Sequence, residues 1–424
     1  MVLVRLTVFL EESNFIKPYQ SGFRKLNSTL DPLVRFENAI QETYKADNYL
    51  VAVFIVLEKA YDMVWRHLLL NILFKLGLEG NLPNFIKNFL SNFKIKVRIG
   101  DILSQSFILE NGLPQGSVLS CILFSLIINS IFYDIYNITK SLFCDDGLFW
   151  ATGATLEEAM SRIQIALDAI GEWCSFHGPK ISVVKTHFNI FTKKTKDMDR
   201  IPFLTLNGAP LKRLQKVKYL GVIFDQGLTW GPHIENLANQ CKQPMQMMRR
   251  VSKQNWGGDR VTLKMMYVAL VRSRIDYACF LYSNAANNHL VKLNRIQYEA
   301  IRIITGNHRF TILENLEAEA NIMPLSLRRK LLALNYFGKV YRLPTHPVKI
   351  LYEEFYHFQF YDIRPHTLPI IGRARALANN LNLPLESIET INPVDLYTPV
   401  DINVKLNLLK NKKSCSSFQF QQAY

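Results

Sequence analysis

Ser141-Leu142-Phe143-Cys144-Asp145-Asp146-Gly147-Leu148-Phe149-Trp150 decides the reading of this 424-residue chain. Two adjacent carboxylates stand between an apolar approach and an apolar exit, which suits a β-hairpin with its acids at the turn. Asp-Asp pairs are common in solvated turns, so the stretch alone says little. Its neighbours upstream carry the weight. Leu113-Pro114-Gln115-Gly116-Ser117-Val118-Leu119-Ser120 is a turn opening a strongly apolar helix. Val53-Phe54-Ile55-Val56-Leu57-Glu58-Lys59-Ala60-Tyr61-Asp62 begins as a near-continuous apolar run, as a strand buried on both faces should.

Working outward, Leu68, Leu69, Ile72, Leu73 and Leu76 recur at helical spacing over 65–76. A second helix is expected over 82–93, and 94–99 alternates like a strand. Leu156, Met160, Ile163, Leu167, Ile170 and Cys174 mark the inner stripe of a helix that Gly178-Pro179 stops. A small mixed sheet with helices on one face is expected, an α+β architecture. From about 235 the pattern turns helical, with clear runs at 262–282, 289–305 and 325–343. Prolines punctuate the chain beyond Arg342, and Lys410 to Tyr424 is expected to be disordered.

In this order the motifs resemble the palm of a reverse transcriptase, specifically that of jockey-like non-LTR retrotransposons. Gln20-Ser21-Gly22-Phe23-Arg24 with Ser28-Thr29 is similar to the family's fingers motif. Lys185-Thr186 resembles its fourth palm motif. Tyr219-Leu220-Gly221-Val222, Leu228-Thr229-Trp230 and His233 resemble the primer-grip region and the segment after it. The resemblance implies a right-hand polymerase fold with partial fingers at 1–48, palm at 49–234, a helical thumb at 235–343 and a weakly ordered region at 344–424. Members of that family often carry an endonuclease upstream and a ribonuclease H domain after this region; the sequence is expected to start too late for the first, and with no spaced acidic cluster the second is expected to be absent. The expected function is RNA-directed DNA polymerisation with an RNA template, a DNA primer and deoxynucleoside triphosphates. The alternative is a non-catalytic, nucleic-acid-binding remnant of a mobile element.

Nucleotidyl transfer of this kind uses two Mg²⁺ ions about 4 Å apart. Mg²⁺ takes oxygen ligands, usually carboxylates and substrate phosphates. The resemblance assigns Asp145 and Asp146 as catalytic metal ligands. It assigns Lys185 to the leaving pyrophosphate, Tyr61 to the ribose, Gln115 and Gly116 to the nucleotide, and Arg24 to the triphosphate. The family's first palm strand reads F-x-D-L-E-K-A-Y/F-D, and its aspartate bridges both ions. Here the aspartate slot holds Val56. Valine has no donor atom, and as a β-branched residue it is at home buried in a strand. Glu58 projects from the same face but about 6–7 Å further along. The two-metal site is therefore expected to be incomplete, and Gly147 is expected to loosen the hairpin.

Lys and Arg total 50 against 35 Asp and Glu, a net charge of +15, which favours polyanions. The surplus concentrates beyond the palm motifs: Lys193, Lys194, Lys196, Lys212, Arg213, Lys216, Lys218, Arg249, Arg250, Lys253 and Arg260. No two of the six cysteines have metal-ligand spacing, so no zinc site is expected. Their scatter suits a reducing compartment, and an intracellular location in nucleus or cytoplasm is expected. Val118 to Phe132 is the most apolar stretch, but it falls short of the ~18–20 residues of a membrane span and reads as a buried palm helix.

Overall fold

The computed structural model describes residues 2–78, 80–91, 93–194, 203–253, 257–354, 368–383 and 387–391. Lys196, Cys415 and the 410–424 tail lie outside them. Helices α1 (Val2–Glu12) and α2 (Leu30–Lys45) precede the long strand β1 (Tyr49–Glu58). Then come α3 (Arg66–Lys75) and α4 (Asn81–Leu90). A ribbon of four short strands is next: β2 (Lys94–Ile95), β3 (Arg98–Ile99), β4 (Ile102–Leu103) and β5 (Phe107–Ile108), with β2 pairing β5 and β3 pairing β4. Helix α5 (Val118–Ile128), the hairpin β6 (Thr139–Phe143) and β7 (Asp146–Gly153), and α6 (Leu156–His177) come after it. Gly178 ends α6 at φ 88°, a left-handed cap that glycine adopts without strain.

Short strands β8 (Lys180–Ile181), β9 (His187–Phe191), β10 (Thr205–Leu206), β11 (Ala209–Pro210) and β12 (Lys212–Arg213) lead to a second hairpin, β13 (Lys216–Tyr219) with β14 (Val222–Asp225). The main sheet runs β12-β9-β1-β7-β6, with β8 added beside β1. β1 is antiparallel to both β7 and β9. The fold is α+β, with helices on both faces of the sheet rather than one. The cause is the composition of β1. Its odd positions Val51, Val53 and Ile55 enter a core with α5 and α6; its even positions Leu50, Ala52 and Phe54 enter another with α2 and the C-terminal helices. A strand apolar at every position must be covered twice.

The C-terminal half is helical: α7 (Gly231–Val251), α8 (Arg260–Met266), α9 (Ser273–Asp276), α10 (Asn287–Thr305), α11 (Leu313–Ala320) and α12 (Leu325–Tyr341). The run read as one helix over 262–282 is broken. A π-helical turn at Tyr267–Arg272 joins α8 to α9, and the chain turns extended at Tyr277. A polar network explains the shape. Gln297 Oε1 accepts from Tyr267 Oη and Arg272 Nη1, while its amide donates to Glu317. The region from 344, expected to be weakly ordered, contributes two docked helices, α13 (Pro347–Glu354) and α14 (Ile370–Asn380). Val348, Ile370 and Ile371 are fully buried, and α2 supplies the carboxylates that hold them: Glu37 to Arg373, and Asp31 beside His346. Composition hid this because the partners lie more than 300 residues apart in sequence.

His233 joins the β13–β14 hairpin to α7. It is 1% exposed, and its Nδ1 accepts the Ile223 N–H at 3.3 Å. Burial, aided by Lys218, lowers its pKa from 6.5 to about 4. The unfolded chain therefore takes up the proton first. The stability that neutral His233 contributes is complete above pH 6.5 and drains away between 6.5 and about 4, up to about 3 kcal/mol. Urea unfolding of wild type and His233→Asn at pH 7.5 and pH 5 is expected to show a smaller acid loss in the variant. Equal losses would rule out His233 as a source.

Candidate active site

The turn joining β6 to β7 consists of Cys144 and Asp145, closed by the pair Phe143↔Asp146. Cys144 has φ 58°, in the left-handed region, and Asp145 is not at positive φ. Glycine is the usual residue there, so a cysteine marks stored strain. A second segment holds the turn in place. Gln20, fully buried, accepts at Oε1 from Gly22 N–H (2.8 Å) and from Cys144 N–H (3.3 Å). The backbone of this segment also pairs with β6: Leu142 N–H donates to Tyr19 O at 2.7 Å, and Ser21 N–H to Leu142 O at 2.9 Å. A Cβ on Gly22 would stand 2.5 Å from Cys144 N and 2.8 Å from its Sγ.

β1 reaches the turn from one side. Its register with β7 ends at Ile55↔Gly147 and Val56↔Asp146. Val56 is thus the cross-strand neighbour of Asp146, and it is half-buried rather than buried, because β1 emerges from the core there. Gly147 does not loosen the hairpin. A Cβ there would meet Ile55 at 2.7 Å, so its bareness is what admits Ile55. On the other side of Val56, Ser182 N–H donates to Val56 O at 2.9 Å, and Val56 N–H reaches Thr186 Oγ1 at 3.4 Å. The Lys185-Thr186 segment therefore flanks the end of β1 opposite the hairpin. Lys185 is exposed there.

A cleft of about 530 Å³ opens beside Asp145, lined among others by Tyr61, Gln115, Gly116, Ser117 and Cys121. Tyr61 stacks on Phe124 with ring centroids 4.8 Å apart. Burial raises its pKa, with Cys121, Cys144 and Asp145 adding to the effect. Gln115 Nε2 donates to Asp62 Oδ1 at 3.0 Å, tying the segment after β1 to the α5 turn. Gly116 has φ 92°, a conformation that suits glycine, and Ser117 caps α5 by accepting from Leu119 N–H. Partial burial, and then the charge of Asp145, raise the pKa of Asp146. The same surroundings push the Cys144 thiol up to about 12, so it stays protonated.

A family model described as "Reverse transcriptase (RNA-dependent DNA polymerase)" matches residues 1–224. This chain belongs to that reverse transcriptase family. It is 28% identical over 366 residues to the RNA-directed DNA polymerase from mobile element jockey of Drosophila funebris, covering 82% of this chain and 38% of that protein. It is 27% identical over 312 residues to the probable RNA-directed DNA polymerase from transposon BS of Drosophila melanogaster, covering 72% and 34%. The chain thus spans well under half the length of these relatives. Among solved structures it is similar to telomerase from Candida tropicalis in complex with a telomeric RNA fragment, with TM-score 0.40, 11% identity and coverage of 84% and 56%.

Of the residues that the reverse transcriptase resemblance singled out, Asp145, Tyr61, Gln115 and Gly116 line one cleft, and Asp146 stands next to it at the turn. Arg24 does not join them. Its guanidinium grips Glu11, with Nη2 2.6 Å and Nε 3.0 Å from the carboxylate, and also donates to the Lys17 and Gln20 carbonyls. It closes the loop that presents Gln20, a role for which spacing gave no sign. Gln20 and Gly22 brace the turn, and sequence reasoning quoted them without assigning them a part. The signal was there: a glutamine and a glycine two apart, ahead of a turn with no glycine of its own.

Gly22→Ala is expected to destabilise the protein by about 2 kcal/mol, since the clash is with backbone as well as with a side chain. Adding Cys144→Gly removes the Sγ contact but not the contact with Cys144 N, so it should rescue the loss only in part. Full rescue in denaturant titrations would mean that the turn is not braced by its backbone.

Proposed function

We propose that this chain is the polymerase portion of a non-LTR-type retrotransposon reverse transcriptase, which extends a DNA primer with deoxynucleoside triphosphates along an RNA template at a centre weakened by Val56. The observation that carries the reading is the gathering of Asp145, Tyr61, Gln115 and Gly116, from three separate motifs, around one cleft. Asp145 and Asp146 offer the hard oxygen donors that Mg²⁺ takes. No group of three His, Cys, Asp or Glu placed to hold a metal occurs among the described residues. In this reading the two carboxylates would hold one ion completed by substrate oxygens. Such an ion would supply positive charge to the transferring phosphoryl group.

The chain's own residues divide the remaining work. Tyr61, held flat by Phe124, offers its edge to the sugar of an incoming nucleotide. The Gln115–Asp62 contact and Gly116 let backbone approach that nucleotide closely. Lys185, exposed beside the end of β1, neutralises the departing pyrophosphate. Arg24 takes no part, being spent on Glu11. Template and primer are held through phosphates. Lys212, Lys216 and Lys218 are exposed on one stretch of the sheet edge and second hairpin. Arg249 and Arg260 contribute less, since Glu299 and Glu319 already pair with them.

Primer extension tests the chemistry. Wild type is expected to extend slowly, Val56→Asp to raise the rate by at least tenfold, about 1.4 kcal/mol of transition-state stabilisation, and Asp145→Ala to abolish it. A wild-type rate that Val56→Asp leaves unchanged or lowers would refute the weakened-centre reading. The competing reading, binding without chemistry, is favoured by Val56 alone and requires no extension by either form.

Affinity for an RNA–DNA hybrid is expected to fall steeply with salt, by about 0.9 in log K per log unit of salt for each phosphate contacted. Lys216→Ala with Lys218→Ala should flatten that slope. Salt-independent binding would exclude a phosphate-tracking groove.

A further inference from the structure

Arg66 opens α3 and is only 8% exposed. Its guanidinium meets four backbone carbonyls and, among the described residues, no carboxylate. Nε donates to Gly112 O at 2.8 Å and Nη2 to Asn111 O at 3.1 Å. Nη1 donates both to Leu90 O, at 2.8 Å, and to Leu109 O. Leu90 ends α4 and Leu109 follows β5, so Nη1 closes the base of the ribbon that lies between them. The bonds from Nε and Nη2 hold the segment that runs on into Leu113-Pro114-Gln115-Gly116.

That segment lies along the chain leaving β1. Gly112 N–H donates to Val64 O at 2.8 Å, and Leu113 N–H to Tyr61 O at 2.9 Å. Gln115 Nε2 adds its bond to Asp62 Oδ1. Gly112 has φ 83°, and a Cβ there would stand 3.0 Å from Asp62 O, so the two backbones pass close together. Residues 61–66 and 109–115 thus form one seam. One side of it delivers Tyr61 and the other delivers Gln115 and Gly116, and all three line the cleft beside Asp145. Arg66 fastens the opposite end of the seam. A buried guanidinium is tolerated only when its N–H groups find acceptors, and the carbonyls supply them. The rigid fork of an arginine can reach carbonyls on several segments at once, whereas a lysine ammonium is a point charge that cannot span them. The β6–β7 turn is held by Gln20 instead, so Asp145 and Asp146 do not depend on this clamp.

Resting on the reading of the Asp145 cleft as the nucleotide site, we propose that Arg66 is a positioning residue for that site: its bonds to the carbonyls of Leu90, Leu109, Asn111 and Gly112 hold Gln115 and Gly116 at a fixed separation from Tyr61, and so set the affinity for the incoming deoxynucleoside triphosphate rather than for template and primer. Arg66 itself touches no substrate and acts only through the seam.

The full chain is bound to an RNA template paired with a dideoxy-terminated DNA primer, so that no bond can form. The deoxynucleotide complementary to the template is added with Mg²⁺, and retention of the complex against unlabelled competitor is read by gel shift. Wild type is expected to respond saturably. Arg66→Lys, which keeps the charge and loses the fork, should raise the half-saturating nucleotide concentration about fivefold or more. Gly112→Ala, which forces the same seam apart from its other side, should do likewise. Affinity for template–primer without nucleotide should stay within about twofold of wild type in both variants. A merely structural loss would shrink the folded fraction, lowering the amplitude and leaving the half-saturating concentration where it was. Hydrogen exchange reads the clamp without nucleotide: in Arg66→Lys the Gly112 and Leu113 amides should exchange about tenfold faster, with the β1 amides unchanged. A nucleotide response in wild type with the same half-saturating concentration in Arg66→Lys overturns the proposal, as does unchanged exchange at Gly112 and Leu113. Absence of any nucleotide response in both wild type and Val56→Asp overturns instead the reading of the cleft as a nucleotide site, and the proposal with it.

Discussion

The register of β1 against β7 is the constraint on which the rest depends. Eight consecutive pairs run from Tyr49↔Gly153 to Val56↔Asp146. Side chains alternate with a period of two, so a slip of one residue would exchange the sets that feed the two cores. Phe54 would leave its packing with Phe36, and Ile55 would lose the bare site at Gly147. The same slip would move Asp146 off Val56. Core packing and site geometry are thus set by one alignment, and the apolar cost of a slip protects the position of the carboxylates.

Helix α2 carries that constraint to the C-terminal half. Glu37 is fully buried and pairs with Arg373 at 2.9 Å while accepting Ile370 N–H at 2.9 Å. Asp31, 2% exposed, accepts from Tyr336 Oη at 2.7 Å and from Ser28 N–H at 2.6 Å. Burial pushes the Glu37 carboxyl pKa up, and Arg373 opposes the shift. Breaking such a pair from one side leaves a buried charge, typically at about 3–5 kcal/mol. These contacts make α14 part of the body that supports the palm sheet.

Much of the palm was legible because its signals are local. Apolar period and turn chemistry placed β1, the β6–β7 hairpin and α6 close to where they lie, and the Gly178 cap ended α6 as read. The helix over 262–282 failed because its break serves a partner, Gln297, that period cannot reveal. The docking of α13 and α14 failed likewise, since Glu37 and Arg373 meet only through the fold. Asp145, Tyr61, Gln115 and Gly116 line one cleft, while Lys185 flanks the end of β1 opposite the hairpin. The pairing of Arg24 with Glu11 was not legible because a guanidinium's partner is a matter of geometry, and Glu11 lies thirteen residues away.

Val56 shows that the fold of this turn does not need a carboxylate at the end of β1. The position is half-buried at the end of β1, where strand packing is content with a β-branched residue. A carboxylate there would adjoin Asp146, whose pKa is already raised by burial and by Asp145. Three acids at one turn repel one another unless cations bind, so without metal the aspartate is a liability to the folded state. Replacing it with valine removes that repulsion at no loss of core. A carboxylate at this residue would therefore work against the folded turn, whereas Gln20, Gly22 and Gly147 all support it. The shape of the turn is independent of any acid at position 56, because Gln20, Gly22 and Gly147 set it and none of them is a carboxylate.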